Sequence, residues 1–153
     1  MKICISCSAG GHLIEILQIK EAYKDYDHFF ITFRQEGVIN ELKNERVYFL
    51  TDTKRSMFLF LKSFLETFKI LLKEKPKVII STGAGVAIPS IIIGKFFLRS
   101  KIIFIESFTR IYEPSLSGKI AYHFSDLFFV QWKQLLKKYG KKAIYRGAVV
   151  WFL

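Results

Sequence analysis

The chain has 153 residues, 51% of them hydrophobic, and a net charge of +11. That length makes a single domain over residues 1–153 with ample material for one core. No uncharged apolar run reaches transmembrane length without breakers: the longest, residues 78–94, contains Gly83, Gly85 and Pro89 and opens as a strand. The charge is uneven. Residues 1–75 hold 12 Lys/Arg against 10 Asp/Glu, whereas residues 76–153 hold 12 Lys/Arg against 3 acids, Glu106, Glu113 and Asp126. A basic half of this kind points to a polyanionic neighbour: anionic lipid, nucleic acid or a phosphate-bearing substrate. With 16 Phe in the chain, lipid headgroups fit that neighbour better than plain solvent does.

Residues 2–8 are apolar and β-prone and run into Ser8-Ala9-Gly10-Gly11-His12. Cys4 and Cys7 have CxxC spacing, but alternation places them on opposite faces of this strand. They read as buried thiols of a reducing compartment rather than a redox or metal pair. An amphipathic helix follows over 12–24. The two glycines at its start allow a tight turn, or the approach of an anion to free N–H groups. The spacing is not GxGxxG, so a standard dinucleotide fingerprint is absent.

Strands are expected next at 27–33 and 46–51, with a helix at 37–44 between them. A long helix at 56–74 carries Lys62, Glu66, Lys69 and Lys73 within one narrow arc and is otherwise almost wholly apolar. A helix against one sheet face needs an apolar stripe of only about 100°. Leu59 and Ile70 lie beyond that stripe, and Phe58 and Phe60 flank it. The surplus calls for a neighbouring helix, a partner chain or a bilayer. Lys54, Arg55, Phe58 and Phe60 are the candidate membrane contacts.

The strand at 77–82 ends in Thr82-Gly83-Ala84-Gly85, a second Gly-rich turn. It feeds a helix over 86–98 that starts near Ala87, with Pro89 in its first turn. The strand at 101–106 ends in Glu106-Ser107. Helices at 115–124 and 132–139 and strands at 126–132 and 142–150 complete the chain, with Ser115 and Ser117 as an N-cap pair. Alternating strands and helices predict an α/β fold, a Rossmann-like doubly wound parallel sheet whose ligands lie at the carboxyl ends of the strands.

SAGGH near the start, STGAGVAIP, IES followed by Arg110, PSLSGK and VQW, in this order, resemble the acceptor-side, membrane-associated subunits of two-part UDP-sugar glycosyltransferases. The eukaryotic member acts in the dolichol-linked pathway of asparagine-linked glycans, and bacterial members serve capsule and exopolysaccharide assembly. The chain also resembles, more distantly, the amino-terminal, acceptor-binding half of the single-chain GT-B transferase that completes the lipid-linked peptidoglycan precursor. The resemblance implies a non-autonomous subunit. It would bind a polyprenyl-pyrophosphate-linked acceptor at the cytoplasmic face of a membrane and recruit a separate UDP-sugar-binding catalytic subunit. Eukaryotic members carry an amino-terminal span. None is expected here, so attachment would be peripheral and rest on the basic and aromatic surface.

The resemblance assigns Ser8, Gly10, Gly11, Gly83, Ala84, Gly85, Ser107 and Arg110 to the acceptor and its phosphates. His12 is a candidate general base, with a helix-start cap or a phosphate contact as alternatives. Glu106 is a sugar ligand, a base or the ion-pair partner of Arg110, binding or pairing being favoured over catalysis. Trp151, Phe152 and Leu153 are either a last strand or a docking element for the partner. No DxD element is present, since Thr53 and Lys54 follow Asp52. Neither a metal nor a cofactor is expected in this chain. The rival classes are a basic nucleic-acid-binding α/β domain, which would need an RRM, KH or zinc signature that is absent, and a stand-alone nucleotide-dependent enzyme.

Overall fold

A computed structural model describes residues 1–52 and 56–149. Seven parallel strands form one sheet in the order β3-β2-β1-β4-β5-β6-β7: β1 (Lys2–Ser6), β2 (Asp27–Phe33), β3 (Val47–Leu50), β4 (Val78–Ser81), β5 (Lys101–Ile105), β6 (Leu127–Val130) and β7 (Ala143–Tyr145). The order reverses between β1 and β4, which are paired directly, Ser6 opposite Ser81. Helices α1 (Gly11–Gln18) and α2 (Glu36–Glu41) cover one face. Helices α3 (Met57–Glu74), α4 (Ala87–Ile93), α5 (Leu116–Phe124) and α6 (Gln134–Tyr139) lie on the other. Right-handed crossovers produce this split when a chain winds outward in both directions from the sheet's middle. The crevice at the strand ends beside β1 and β4 is where such sheets bind ligands.

The runs of β-branched and aromatic residues become strands because both faces of the sheet's middle are covered. Phe29, Ile31, Phe104 and Phe128 enter the core beneath α3–α6, while Ile5, Phe30 and Ile80 enter the core beneath α1 and α2. Cys4 and Cys7 fall in these two separate cores, as alternation requires, and burial pushes the Cys7 thiol up to about 12. The helix after β4 changes to a π-helical turn, Gly94–Leu98, and ends at Arg99 in the left-handed region.

Two sequence expectations are corrected. The last strand, expected over 142–150, ends at Tyr145, because Gly147 takes a positive φ of 98° and turns the chain out of the sheet. Helix α3 also faces differently than its apolar wheel implies. Its fully buried positions are Ser63, Thr67, Leu71 and Glu74, of which only Leu71 is apolar. Ser63 and Thr67 are small, and the Thr67 hydroxyl is satisfied within the helix by the Ser63 carbonyl at 2.8 Å. Glu66 accepts the N–H and hydroxyl of Thr51, each at 2.8 Å, and Glu74 accepts Lys2 Nζ at 2.8 Å and the Tyr48 hydroxyl. These acids pin α3 along β3. Leu59 and Ile70 are consequently half-buried rather than surplus, and Ile70 packs on the core. The unpacked apolar face is instead Met57, Phe58, Leu61, Leu65 and Leu72, exposed by 81%, 76%, 56%, 53% and 41%.

Candidate acceptor cleft

A cleft of about 470 Å3 opens at the carboxyl ends of the strands. Its polar side is made by His12, Ser107, Thr109, Arg110, Ser115 and Ser117, with Ala84 and Gly85 of the second Gly-rich turn. Its apolar side is Phe60, Ile88, Leu116 and Ile120. Of the residues the resemblance singles out, the structure gathers His12, Ala84, Gly85, Ser107 and Arg110 around this cleft, and Phe60, a candidate membrane contact from the helix wheel, lines its apolar side instead. Ser8, Gly10 and Gly11 lie on the β1–α1 turn outside its lining. Lys54, Arg55, Trp151, Phe152 and Leu153 fall outside the described residues.

The glycines have different reasons to be there. Gly10 precedes α1 with φ 76° and Gly83 has φ 117°, conformations that side chains resist. At Gly83 a Cβ would also meet Ser117 Oγ at 3.2 Å and His12 Cε1 at 3.3 Å. Gly11 and Gly85 have neither reason: φ is ordinary at both, and a Cβ would meet nothing within 4 Å. Between Gly83 and Gly85, Ala84 holds a positive φ of 69° at the cleft wall. A non-glycine residue there is uncommon and stores local strain at the site.

His12 begins the second position of α1, a helix with no side-chain cap. Its carbonyl accepts the Thr82 hydroxyl at 2.9 Å, and its Nδ1 is buried without a partner among the described residues. Burial pulls its pKa below the ordinary 6.5, so the ring is neutral at neutral pH and able to accept a proton. The unfolded chain takes up this proton at higher pH than the folded chain does. The group therefore costs stability as pH falls below about 6.5. An NMR titration is expected to place the His12 midpoint below that of a free imidazole, and His12→Gln is expected to lose less stability than the parent between about pH 7 and about pH 5. A midpoint at or above the free value would show that the ring is solvated.

Glu106 is only 1% exposed and does not face the cleft as a free group. Oε1 accepts the Ser107 N–H at 3.0 Å and the Ser115 hydroxyl at 2.8 Å. Oε2 accepts the Ser115 N–H at 3.2 Å and the Tyr139 hydroxyl. Burial, and then the neighbouring carboxylate, push the Tyr139 hydroxyl well above its usual range. Ser115 in turn caps α5, its Oγ accepting the Gly118 N–H at 2.8 Å. Glu106 thus ties the end of β5 to the start of α5 and fixes the loop between them. No ion pair joins Glu106 to Arg110 among the described residues, so that one of its three candidate roles is not realised there. The Arg110 guanidinium, exposed at the cleft wall, has no hydrogen bond or ion pair among those residues.

A second buried carboxylate lies beneath the same loop. Glu15 of α1 is 3% exposed and accepts Ser107 Oγ at 2.9 Å and the Phe108 N–H at 3.0 Å. Burial raises its pKa, against the pull of these donors. Sequence reading missed Glu15, Gly118, Gln131 and Tyr139. None carried a local signal: Glu15 reads as one of the polar positions interleaved along the amphipathic helix. Among the described residues no group of three His, Cys, Asp or Glu side chains is placed to hold a metal, and no helix is long and apolar enough to cross a membrane.

A family model described as oligosaccharide biosynthesis protein Alg14 like matches residues 49–149, more than half of the chain. The chain belongs to the Alg14-like family. The human UDP-N-acetylglucosamine transferase subunit ALG14 is 29% identical across 98% of this chain and 83% of its own length. The Saccharomyces cerevisiae subunit of that name is 25% identical across 98% and 77%. The rat subunit is 36% identical, over 62% of this chain and 46% of its own. Among solved structures, Acinetobacter baumannii MurG superposes with a TM-score of 0.74 at 13% identity. Methanocaldococcus jannaschii UDP-GlcNAc 2-epimerase does so with 0.77 at 19%. Each match covers 97% of this chain, which spans about half the length of those structures, 45% and 47%. At such identities they establish the fold: this Alg14-like chain has the Rossmann-like α/β architecture found within GT-B proteins.

Proposed function

We propose that the chain is the acceptor-binding, non-autonomous subunit of a membrane-associated glycosyltransferase of lipid-linked oligosaccharide or polysaccharide synthesis. It holds a polyprenyl-pyrophosphate-linked sugar and acts with a separate UDP-sugar-binding subunit. The observation that carries this reading is the two-sided cleft. A guanidinium without a partner among the described residues, hydroxyls and open Gly-rich backbone suit a pyrophosphate and sugar. Phe60, Ile88, Leu116 and Ile120 suit the first units of a lipid chain, and Phe60 belongs to α3, the helix that also carries the bare apolar face. That face supports peripheral attachment to an anionic membrane on its cytoplasmic side. It is bordered by exposed Lys62, Lys69 and Lys73, and the exposed Phe96 and Phe97 of the π-helical turn extend it through the ring contact of Phe97 with Phe68, at 5.1 Å.

The need for a partner is supported by the sheet itself. Among the described residues no helix covers the second face of β6 and β7. Leu127 is 42% exposed there, and Phe129 and Ile144 are half-exposed. Parallel strands are ordinarily covered on both faces. In this reading His12 orients the acceptor or takes the proton of its hydroxyl. Glu106, its oxygens occupied, shapes the loop that presents Ser107 and Arg110. Sugar transfer is direct, and no cofactor or metal is assigned to this chain.

Titration with inorganic pyrophosphate by calorimetry tests the cleft. Arg110→Ala is expected to weaken binding by about ten- to a hundredfold, since a charge-assisted, bidentate contact is lost, and Arg110→Lys to recover only part of it. Unchanged affinity in Arg110→Ala would place the phosphate elsewhere.

A further inference from the structure

Gln131, at the end of β6, is 2% exposed, and its amide is shared among three separate pieces of the chain. Oε1 accepts the Val149 N–H at 2.9 Å. Nε2 donates to the Glu106 carbonyl at 3.0 Å and to Glu15 Oε2 at 3.3 Å. The other oxygen of Glu15 holds Ser107 and Phe108. The next residue, Trp132, donates its indole N–H to the Phe108 carbonyl at 2.7 Å and packs its ring on that of Phe108. The loop bearing Ser107, Thr109 and Arg110 is therefore gripped from below by one buried polar chain, and the far end of that chain is the backbone of Val149.

Residues 146–149, by contrast, belong to no strand or helix. Gly147 has turned them off the sheet edge, and they roof a cavity of about 210 Å3 over Ile105, Phe129 and Val130. The Val149 N–H finds its partner in the Gln131 side chain rather than in a strand. A segment over a void has few packing contacts to resist displacement.

We infer that Gln131 is a positioning residue that couples the seating of residues 146–149 to the loop of the acceptor cleft. An amide is suited to this because it accepts on one side and donates on the other. Losing the Val149 N–H frees the Gln131 side chain to turn, and the Glu15 and Glu106 ends of the chain lose a buried donor. A buried network that is partly unsatisfied is weakened throughout rather than at one bond. The consequence for function rests on the reading of the cleft given above. A partner subunit docking at the bare face of β6 and β7 would press or lift residues 146–149, and Arg110 would be set for the acceptor only when the partner is present.

Hydrogen–deuterium exchange of the ligand-free full chain tests the coupling. Val149→Pro removes the donor without touching the cleft. It is expected to speed exchange at Phe108 and its neighbours by about tenfold while amides of β1 and β2 stay protected. Gln131→Glu keeps the acceptor for Val149 but loses the donor. It is expected to speed exchange at the loop and to leave Val149 protected. Gln131→Leu should release both ends, and if it fails to fold the other two variants decide. Loop exchange unchanged in Val149→Pro, or a uniform rise throughout the chain, would overturn the inference. Inorganic pyrophosphate added to the parent chain separates the two readings. If it gives the loop no protection, the cleft reading fails, while the coupling is judged on the ligand-free exchange.

Discussion

Gly118→Ala is expected to lower the unfolding free energy by about 3 kcal/mol or more, and the melting temperature by about 10 °C, although it adds one methyl group to an ordinary helix. A Cβ at Gly118 would overlap Glu106 Oε2 and the Tyr139 hydroxyl and lie 2.8 Å from Ser115 Oγ. Those three groups cannot retreat together. Glu106 is packed at 1% exposure and Ser115 caps the helix on which Gly118 sits. The carboxylate would give up its donors inside the protein, and an uncompensated buried charge is among the most damaging results of a point change. Gly85→Ala is the control. Its Cβ meets nothing, so the fold should keep its stability to within about 0.5 kcal/mol while a ligand approaching the turn is hindered. Thermal unfolding followed by circular dichroism compares the two. Equal melting temperatures would mean that Glu106 can leave its clamp, and would restore it as a mobile group able to reach the cleft.

The double variant Leu61→Glu and Leu65→Glu is expected to weaken flotation with anionic liposomes by about a hundredfold or more at unchanged fold stability. Both leucines are more than half exposed, so neither contributes much to the core. Burying each in the headgroup boundary would contribute about 1.5–3 kcal/mol, and a carboxylate there adds repulsion from anionic lipid. Binding by the parent chain should fall as salt rises, since Lys62, Lys69 and Lys73 act through screened charge. Neutral liposomes that bind the parent equally at every salt concentration would remove the electrostatic part. A double variant that floats like the parent would move the membrane face elsewhere.

The framework of the fold was legible in the residues. Every expected strand and helix is present, and the Gly-rich turns of residues 8–12 and 82–85 lie at strand ends beside the middle of the sheet, because β-branched runs and breakers act locally. What failed was what depends on distance. The wheel of α3 showed an apolar excess but not which side of it faced inward. That was set by Glu66 and Glu74 along β3, which leave Ser63 and Thr67 on the buried side. Glu106 looked like a group available to a substrate or to Arg110. Its real partners, Ser115 and Tyr139, are nine and 33 residues away. Glu15 and Gln131 carried no local signal, since their hydrogen bond spans 116 residues. Arg110 was reached through the resemblance, by its place after the Ile105-Glu106-Ser107 segment, and the structure puts it in the cleft lining.

Whether the chain is half of a two-part transferase is tested most directly by reconstitution. UDP-sugar turnover onto a polyprenyl-pyrophosphate-linked acceptor would be measured with the purified chain alone, with a UDP-sugar-binding subunit from the same organism alone, and with both together. Transfer is expected only in the combined sample, and is expected to be lost there in Arg110→Ala. Turnover by the isolated chain, or equal turnover by the other subunit without it, would show that the chain is not half of a two-part transferase.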